Sequence, residues 1–408
     1  MQTKEQFHNL ISCTVPRVAV AALAMAILFA LTMVLTQPAQ AQTFTVIHTF
    51  TGPDGAGPVA GVTLDAAGNL YGTTADGGTV FELKRWHGNW VLNNIFKFNG
   101  NNGAWPQSRV VFGPDGALYG TTYEGGSGNA GVVYSLRPPK TNCKTALCPW
   151  TETILYQFSG GSDGAHPGYG NVTFDHARNL YGTTTGGGAF GQGIVFRLTP
   201  SNGGWTESVL YSFSGGRYGS EPMSGVILDE AGNLYGTTPY GGGGCGIGCG
   251  TVYQLTPGGS GWNYSTLFWF GGSYGEHPYG SLIFDQSGNL YGTTSSGGSG
   301  GGGTVFELSG GWFYLLYALP GRGNPGPVAS PTMDAAGNLY ATTYSDGAYG
   351  LGAVFKLTPS DGGWIYTSLH DFTNGNDGMH PSGDLAMDVS GNLYGTTYEG
   401  GGVWEITP

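Results

Sequence analysis

Gly68-Asn69-Leu70-Tyr71-Gly72-Thr73-Thr74 recurs down the chain, in versions centred on Tyr119, Tyr181, Tyr235, Tyr291, Tyr340 and Tyr394. The seven copies are separated by 48, 62, 54, 56, 49 and 54 residues. Self-similarity at such a period marks a solenoid, a propeller or an array. Departures are few: Ala117 replaces the Asn, Arg178 the first Gly and Ala341 the second Gly.

Outward from this phrase, each unit holds four short β-like segments punctuated by Gly, Pro, Asn or Asp. In the fourth copy they cover 226–228, 233–238, 251–255 and 264–270. The third segment repeats as Val80-Phe81-Glu82-Leu83, Val195-Phe196-Arg197-Leu198, Val305-Phe306-Glu307-Leu308 and Val354-Phe355-Lys356-Leu357. Its alternation predicts a strand whose outer part touches water. The first two segments are less polar and read as inner strands buried on both faces.

Four antiparallel strands repeated seven times predict an all-β fold, a seven-bladed β-propeller, with a linear solenoid as competitor. The phase of the chain ends separates the two. The last copy stops after its third strand, Val403-Trp404-Glu405-Ile406. The stretch 43–50, Thr-Phe-Thr-Val-Ile-His-Thr-Phe, matches fourth strands such as Thr153-Ile154-Leu155-Tyr156-Gln157-Phe158. Residues 43–50 are therefore expected to complete the last blade, built from 380–408, and to close a single domain over 42–408.

Composition agrees. Only 10% of residues are charged, and 78 Gly with 22 Pro approach low-complexity levels. The 13% of aromatic residues nevertheless supplies a core, which excludes disorder. So much Gly excludes a helical bundle. A net charge of −12 without a Lys/Arg cluster excludes nucleic-acid binding.

Lys4 and Arg17 precede an apolar run at 18–35 and the small residues Ala39-Gln40-Ala41. Residues 1–41 read as a cleaved signal peptide, giving a periplasmic or extracellular monomer with no membrane attachment after cleavage. The alternative is a retained anchor. The pairs Cys143-x4-Cys148 and Cys245-x3-Cys249 read as local disulfides in an oxidising compartment. A shared zinc site is set aside because strand phase puts the pairs in different blades and at opposite ends of them. No metal or cofactor is expected.

The Asp that opens the turn before Gly-Asn (Asp65, Asp175, Asp229, Asp285, Asp334, Asp388) reads as turn chemistry, its carboxylate accepting local N–H groups. Function is sought where the copies differ. Before a recurring Pro stand Gly57, Trp105, His166, Glu221, His277, Gly326 and His380. The loop between second and third strands carries Asp76, Glu124, Tyr240, Asp346 and Glu399. Alternation brings both loop sets to one end of the ring, the candidate binding face.

The phrase Asp-x-x-Gly-Asn-Leu-Tyr-Gly-Thr-Thr, followed by Gly-Gly, Val-Phe-x-Leu-Thr-Pro and Val-Leu-Tyr-x-Phe, resembles the GloVer tandem-repeat family of choice-of-anchor proteins over nearly all of 43–408. The resemblance implies an exported repeat protein with no established activity. Members carry C-terminal anchoring modules, whereas this sequence ends directly after a strand, so surface anchoring is not expected. The shorter Asp-x-x-Gly-Asn-Leu-Tyr is similar to NHL-type propellers and streptogramin lyases. The leading expectation is a non-catalytic module binding a glycan, peptide or partner protein. The alternatives are a lyase or hydrolase using His166, His277 or His380 with a carboxylate, and a ligand-free spacer.

Overall fold

The Leu-Tyr-Gly-Thr-Thr segments form the second strand of each blade: Leu70–Thr74, Leu118–Thr122, Leu180–Thr184, Leu234–Thr238, Leu290–Thr294, Leu339–Thr343 and Leu393–Thr397. The computed structural model describes residues 42–139, 149–243, 245–246, 248–259, 261–321 and 325–408. The leader and the pair Cys143 and Cys148 lie outside the described residues. Among the described residues, 28 strands make seven four-stranded antiparallel sheets. Six sheets follow chain order, and the seventh adds Thr43–Thr49 to Gly402–Thr407. The N-terminal strand thus closes the ring.

The residue after the repeated Tyr must be small because an aromatic ring lies over it. Gly72 stands opposite Phe81, and a Cβ there would be 2.5 Å from that ring. Gly182 and Gly395 face Phe196 and Trp404 in the same way, and the sixth blade fits Ala341 opposite Phe355. The covering ring meets the Phe just past the fourth strand of the preceding blade. Centroids are 5.0 Å apart for Phe50–Phe81, 4.9 Å for Phe98–Tyr134 and 5.2 Å for Phe158–Phe196. Leu319 takes this role toward Phe355. The core is accordingly a set of clusters, each straddling two neighbouring blades.

The first Thr of the phrase also reaches across an interface. Thr183 and Thr293 hydroxyls donate to the Ser224 and Ala329 carbonyls of the next blade, at 2.7 and 2.8 Å.

The turn aspartates do more than the sequence reading assigns. Asp65 Oδ1 accepts the N–H groups of Ala67 and Asn69, while Oδ2 accepts Asn69 Nδ2 and the Tyr71 hydroxyl. One carboxylate therefore fixes the Asp, Asn and Tyr of the repeat together. Burial alone would raise the Asp229, Asp334 and Asp388 carboxyls; the Asn and Tyr hydrogen bonds outweigh it and hold them below the ordinary range. In the second blade Gly113 occupies the Asp position, and Asp115 instead accepts the Ala117 N–H and the Tyr119 hydroxyl.

Three details depart from the sequence reading. The first strands are only half-buried, because they line the central channel. The third and fourth strands of the fourth blade run further, Thr251–Gly258 and Gly261–Trp269, with Pro257 opposite Trp262. Pro is tolerated there because the second strand begins only at Leu234, opposite Leu255, so Pro257 lies beyond its edge and the missing N–H has no second-strand ladder to serve. The fourth strands also carry a β-bulge: Val195 pairs with Tyr211 but Phe196 with Val209, skipping Leu210. The bulge lets consecutive apolar residues in Val209-Leu210-Tyr211 be used. Cys245 and Cys249 form a disulfide in the loop between second and third strands of the fourth blade.

Two predictions follow from this packing. Removing residues 43–50 leaves Gly402–Thr407 as an open edge, so the shortened chain should melt earlier and less cooperatively, and a peptide of that sequence added in trans should restore the transition. Unchanged melting would show that closure contributes nothing. Glu207 Oε1 is buried without a partner, and burial, with the Asp163 charge adding, pushes its carboxyl up from 4.5 to about 7. The folded state holds this proton where the unfolded chain releases it, so the stability it contributes is full below pH 4.5 and lost as pH rises through 7. Glu207→Gln should leave Tm unchanged near pH ~4 and raise it near pH ~8; equal shifts at both would refute the assignment.

Candidate functional site

The two variable loop sets do meet at one end of the ring. The loop leading into a blade pairs with the loop between that blade's second and third strands, at Ala104–Glu124, Ala165–Gly186, Ser220–Tyr240, Glu276–Ser296 and Met379–Glu399.

Six of the seven residues before the recurring Pro, all but Gly326, share an unusual backbone. Trp105, His166, Glu221, His277 and His380 have φ of 56, 59, 53, 56 and 56°, and Gly57 has 64°. This left-handed conformation is disfavoured for large side chains. Two hydrogen bonds enforce it. The His166 N–H donates to the Ala130 carbonyl of the preceding blade at 2.8 Å, and its own carbonyl accepts from Thr185 at 3.2 Å. His277 is held likewise by Cys249 and Ser295, and His380 by Leu351 and Tyr398. The following Pro then packs closely on the preceding blade: a Cβ on Gly250 would lie 2.5 Å from Pro278 Cδ. These residues first of all staple neighbouring blades.

Their side chains are placed as follows. Trp105 is 46% exposed. His166 stacks on Tyr123 with Nδ1 2.9 Å from the Tyr123 carbonyl. His277 sits beside Tyr240, its Nδ1 2.8 Å from the Pro239 carbonyl. His380 stacks on Tyr344 and its Nδ1 lies 3.2 Å from Glu399 Oε1. Glu221 and Glu124 are half-buried, and the Tyr240 hydroxyl bonds that of Tyr279 at 3.0 Å. Asp76 and Glu399 border a separate shallow hollow of about 430 Å3 beside Gly57. Asp346 is only 3% exposed, since it occupies the place held in the second blade by Gly125, below the loop surface. The set therefore pairs His380 with Glu399 and Tyr240 with His277, and does not gather into one constellation.

The cavity at this end is built mostly from other residues. Its volume is about 1070 Å3, and every blade contributes the residue shortly after the Pro: Val59, Gln107, Tyr169, Met223, Tyr279, Val328 and Ser382. Tyr344, Tyr398, Glu276 and His277 extend the wall. Its floor is a second ring position, two residues further on. Asn171, Ser281, Ser330 and Asp384 line both this cavity and a lower chamber of about 740 Å3.

The floor is hydrogen-bonded across the channel. Asn171 Nδ2 from the third blade donates to Asp384 Oδ2 of the seventh at 3.0 Å, while Asp384 Oδ1 accepts the Ser330 N–H at 2.8 Å. Ser281 N–H bonds Ser330 Oγ, Gly225 N–H bonds Ser281 Oγ, and Arg109 N–H bonds Asn171 Oδ1. Six blades are thus tied at one level. The available signal was the difference among copies at the position after the Pro; reading it required knowing which way that side chain points.

Models of the Gloeobacter/Verrucomicrobia repeat match residues 32–153, 148–327 and 247–405. The chain belongs to this repeat family. No curated protein matches its sequence. Among solved structures, the repeat propeller is similar to a streptogramin B lyase, with 12% identity, 91% of this chain and 99% of the other covered, and a TM-score of 0.56. A catalytically inactive virginiamycin B lyase from Staphylococcus aureus, solved with quinupristin, gives 13%, 90%, 99% and 0.58. The extracellular domain of a protein described as a hybrid two-component system of B. thetaiotaomicron gives 14% identity and 0.57; 90% of this chain covers 41% of that one. At such identities the likeness is one of fold.

The staple geometry is testable at Trp105, whose exposed side chain makes little packing. Trp105→Gly should stabilise the protein by a few tenths to about 1 kcal/mol in chemical denaturation, relief of the left-handed strain exceeding the entropy Gly adds to the unfolded chain. Trp105→Ala should give no such gain; equal gains from both would show the strain is absent.

Proposed function

We propose that this propeller is an exported, non-catalytic module that binds a glycan, a peptide or a segment of a partner protein in the cavity above the Asn171–Asp384 floor. The cavity itself carries this reading. It offers about 1070 Å3 walled by side chains that change from blade to blade, on a scaffold that hardly changes. Concave, largely apolar sites with a few converging polar groups are where ligands bind. Tyr169, Tyr279, Tyr344 and Tyr398 supply flat surfaces with polar tips, suited to sugar or peptide faces. The Cys245–Cys249 disulfide fits an oxidising compartment, and among the described residues no helix is long and apolar enough to cross a membrane.

One observation favours a lyase or hydrolase instead. His277 lines the cavity, and an Nδ1–H donated to the Pro239 carbonyl leaves Nε2 as a basic acceptor. The binding reading is preferred because the His380–Glu399 pair does not line the cavity.

A thermal-shift screen of residues 42–408 against glycans and peptides tests the proposal, since a ligand of the folded state raises Tm. Hits should vanish in Met223→Trp, which fills the cavity, and persist in Trp86→Ala, an exposed residue at the opposite end of the third strand. Hits that survive Met223→Trp would remove the cavity from consideration. Turnover of a hit that is lost in His277→Ala while binding remains would favour the enzyme.

A further inference from the structure

The cavity carries a sign of charge. Glu276 and Asp384 line it, and among the described residues no Lys or Arg does. Arg109, from the same ring position as Asp384, lines the lower chamber. Both hydrogen bonds to Asp384 come from neutral donors, a backbone N–H and the Asn171 amide, so its charge is solvated by dipoles and not neutralised. A carboxylate has about four acceptor sites, which leaves Asp384 able to take a further donor.

The aromatic residues stand in two groups, each with its own carboxylate. On one side Tyr240 and Tyr279 join hydroxyls at 3.0 Å, Tyr169 stands near both, and Glu221 is close enough to Tyr279 for its charge to oppose ionisation of the phenol, after burial. On the other side Tyr344 is half-buried beside Tyr398 and within the field of Glu399. Burial raises the Tyr169, Tyr279 and Tyr344 phenols above their ordinary range, so these rings present neutral, electron-rich faces. Aromatic faces attract cations most strongly when partly desolvated, and a concave site of one sign concentrates ligands of the other. The two lining carboxylates, Glu276 and Asp384, favour a cation over an uncharged ligand of the same shape and repel an anion.

We propose that the cavity recognises an organic cation, an ammonium or guanidinium group on an apolar stem, carried by a small amine or by a Lys or Arg side chain of a peptide. The inference rests on the binding reading above and narrows its ligand class. The cationic head lies between Asp384, Glu276 and the faces of the lining tyrosines, with its stem along Val59, Met223 and Val328.

The test uses three probes of one shape, benzylammonium, benzyl alcohol and benzoate, titrated into residues 42–408 at low salt and followed by NMR chemical shift. Benzylammonium should bind saturably and about tenfold more tightly than benzyl alcohol, benzoate should not bind, and added salt should weaken the complex. Asp384→Asn and, independently of the floor, Glu276→Gln should each weaken benzylammonium several-fold without changing benzyl alcohol. Short blocked peptides carrying Lys or Arg, against their Gln counterparts, then separate the two sources. Equal binding of amine and alcohol, preference for benzoate, or no saturable binding of benzylammonium would overturn the proposal. Neutral probes that bind as tightly as benzylammonium and are expelled by Met223→Trp would leave the binding module standing with its charge selection refuted. Silence from every probe and from the glycan and peptide screen would sink both.

Discussion

Every blade of this propeller leans on the next through one aromatic contact. The Phe or Leu that follows a fourth strand presses on the third-strand ring of the neighbouring blade, and that ring lies flat over a Gly or Ala of the second strand. A four-stranded sheet cannot bury both faces by itself. Here each sheet does so only against its neighbours, which is why the core divides into clusters shared by pairs of blades and why a chain that stopped at Thr407 would need Thr43–Thr49 to finish it. The seven-residue phrase is the trace of that contact: Gly admits the ring, Thr bonds the next blade, and Asn and Tyr bond the turn Asp.

With the scaffold held this way, the loops at one end inherit a fixed spacing. Residues at positive φ are clamped between backbone groups of two blades, and the Pro that follows seats on the preceding blade. Two residues per blade are then aimed into the channel at defined depths. The upper set forms the cavity wall and the lower set its floor, closed by Asn171 and Asp384 across the ring. Varying the upper set changes what the cavity presents without disturbing the aromatic interfaces beneath, a division between scaffold and wall that repeat architectures permit because each unit touches only its neighbours. The membership of the repeat family and the lyase-like fold neighbours describe the scaffold; the wall and floor describe this protein.

Much of this was legible in the sequence. Seven copies of one phrase, an incomplete last unit and a matching N-terminal strand determine the number of blades and the way the ring closes, because each statement concerns residues near one another in the chain or in register within a sheet. The end of the ring where the variable loops gather was legible for the same reason. The fourth-strand bulge and the pairing of Pro257 were not, since both depend on where a neighbouring strand ends. The site was legible only by region. His166, His277 and His380 differ among the copies and look functional, yet their backbone serves the blade interface, and Asp346 is buried in a position that is Gly in the second blade. The wall and floor residues draw one member from each of several units far apart in the chain, as Asn171 and Asp384 do. Their convergence exists only once the ring has closed, because the aromatic contacts between blades, and no local pattern, set the distances across the channel.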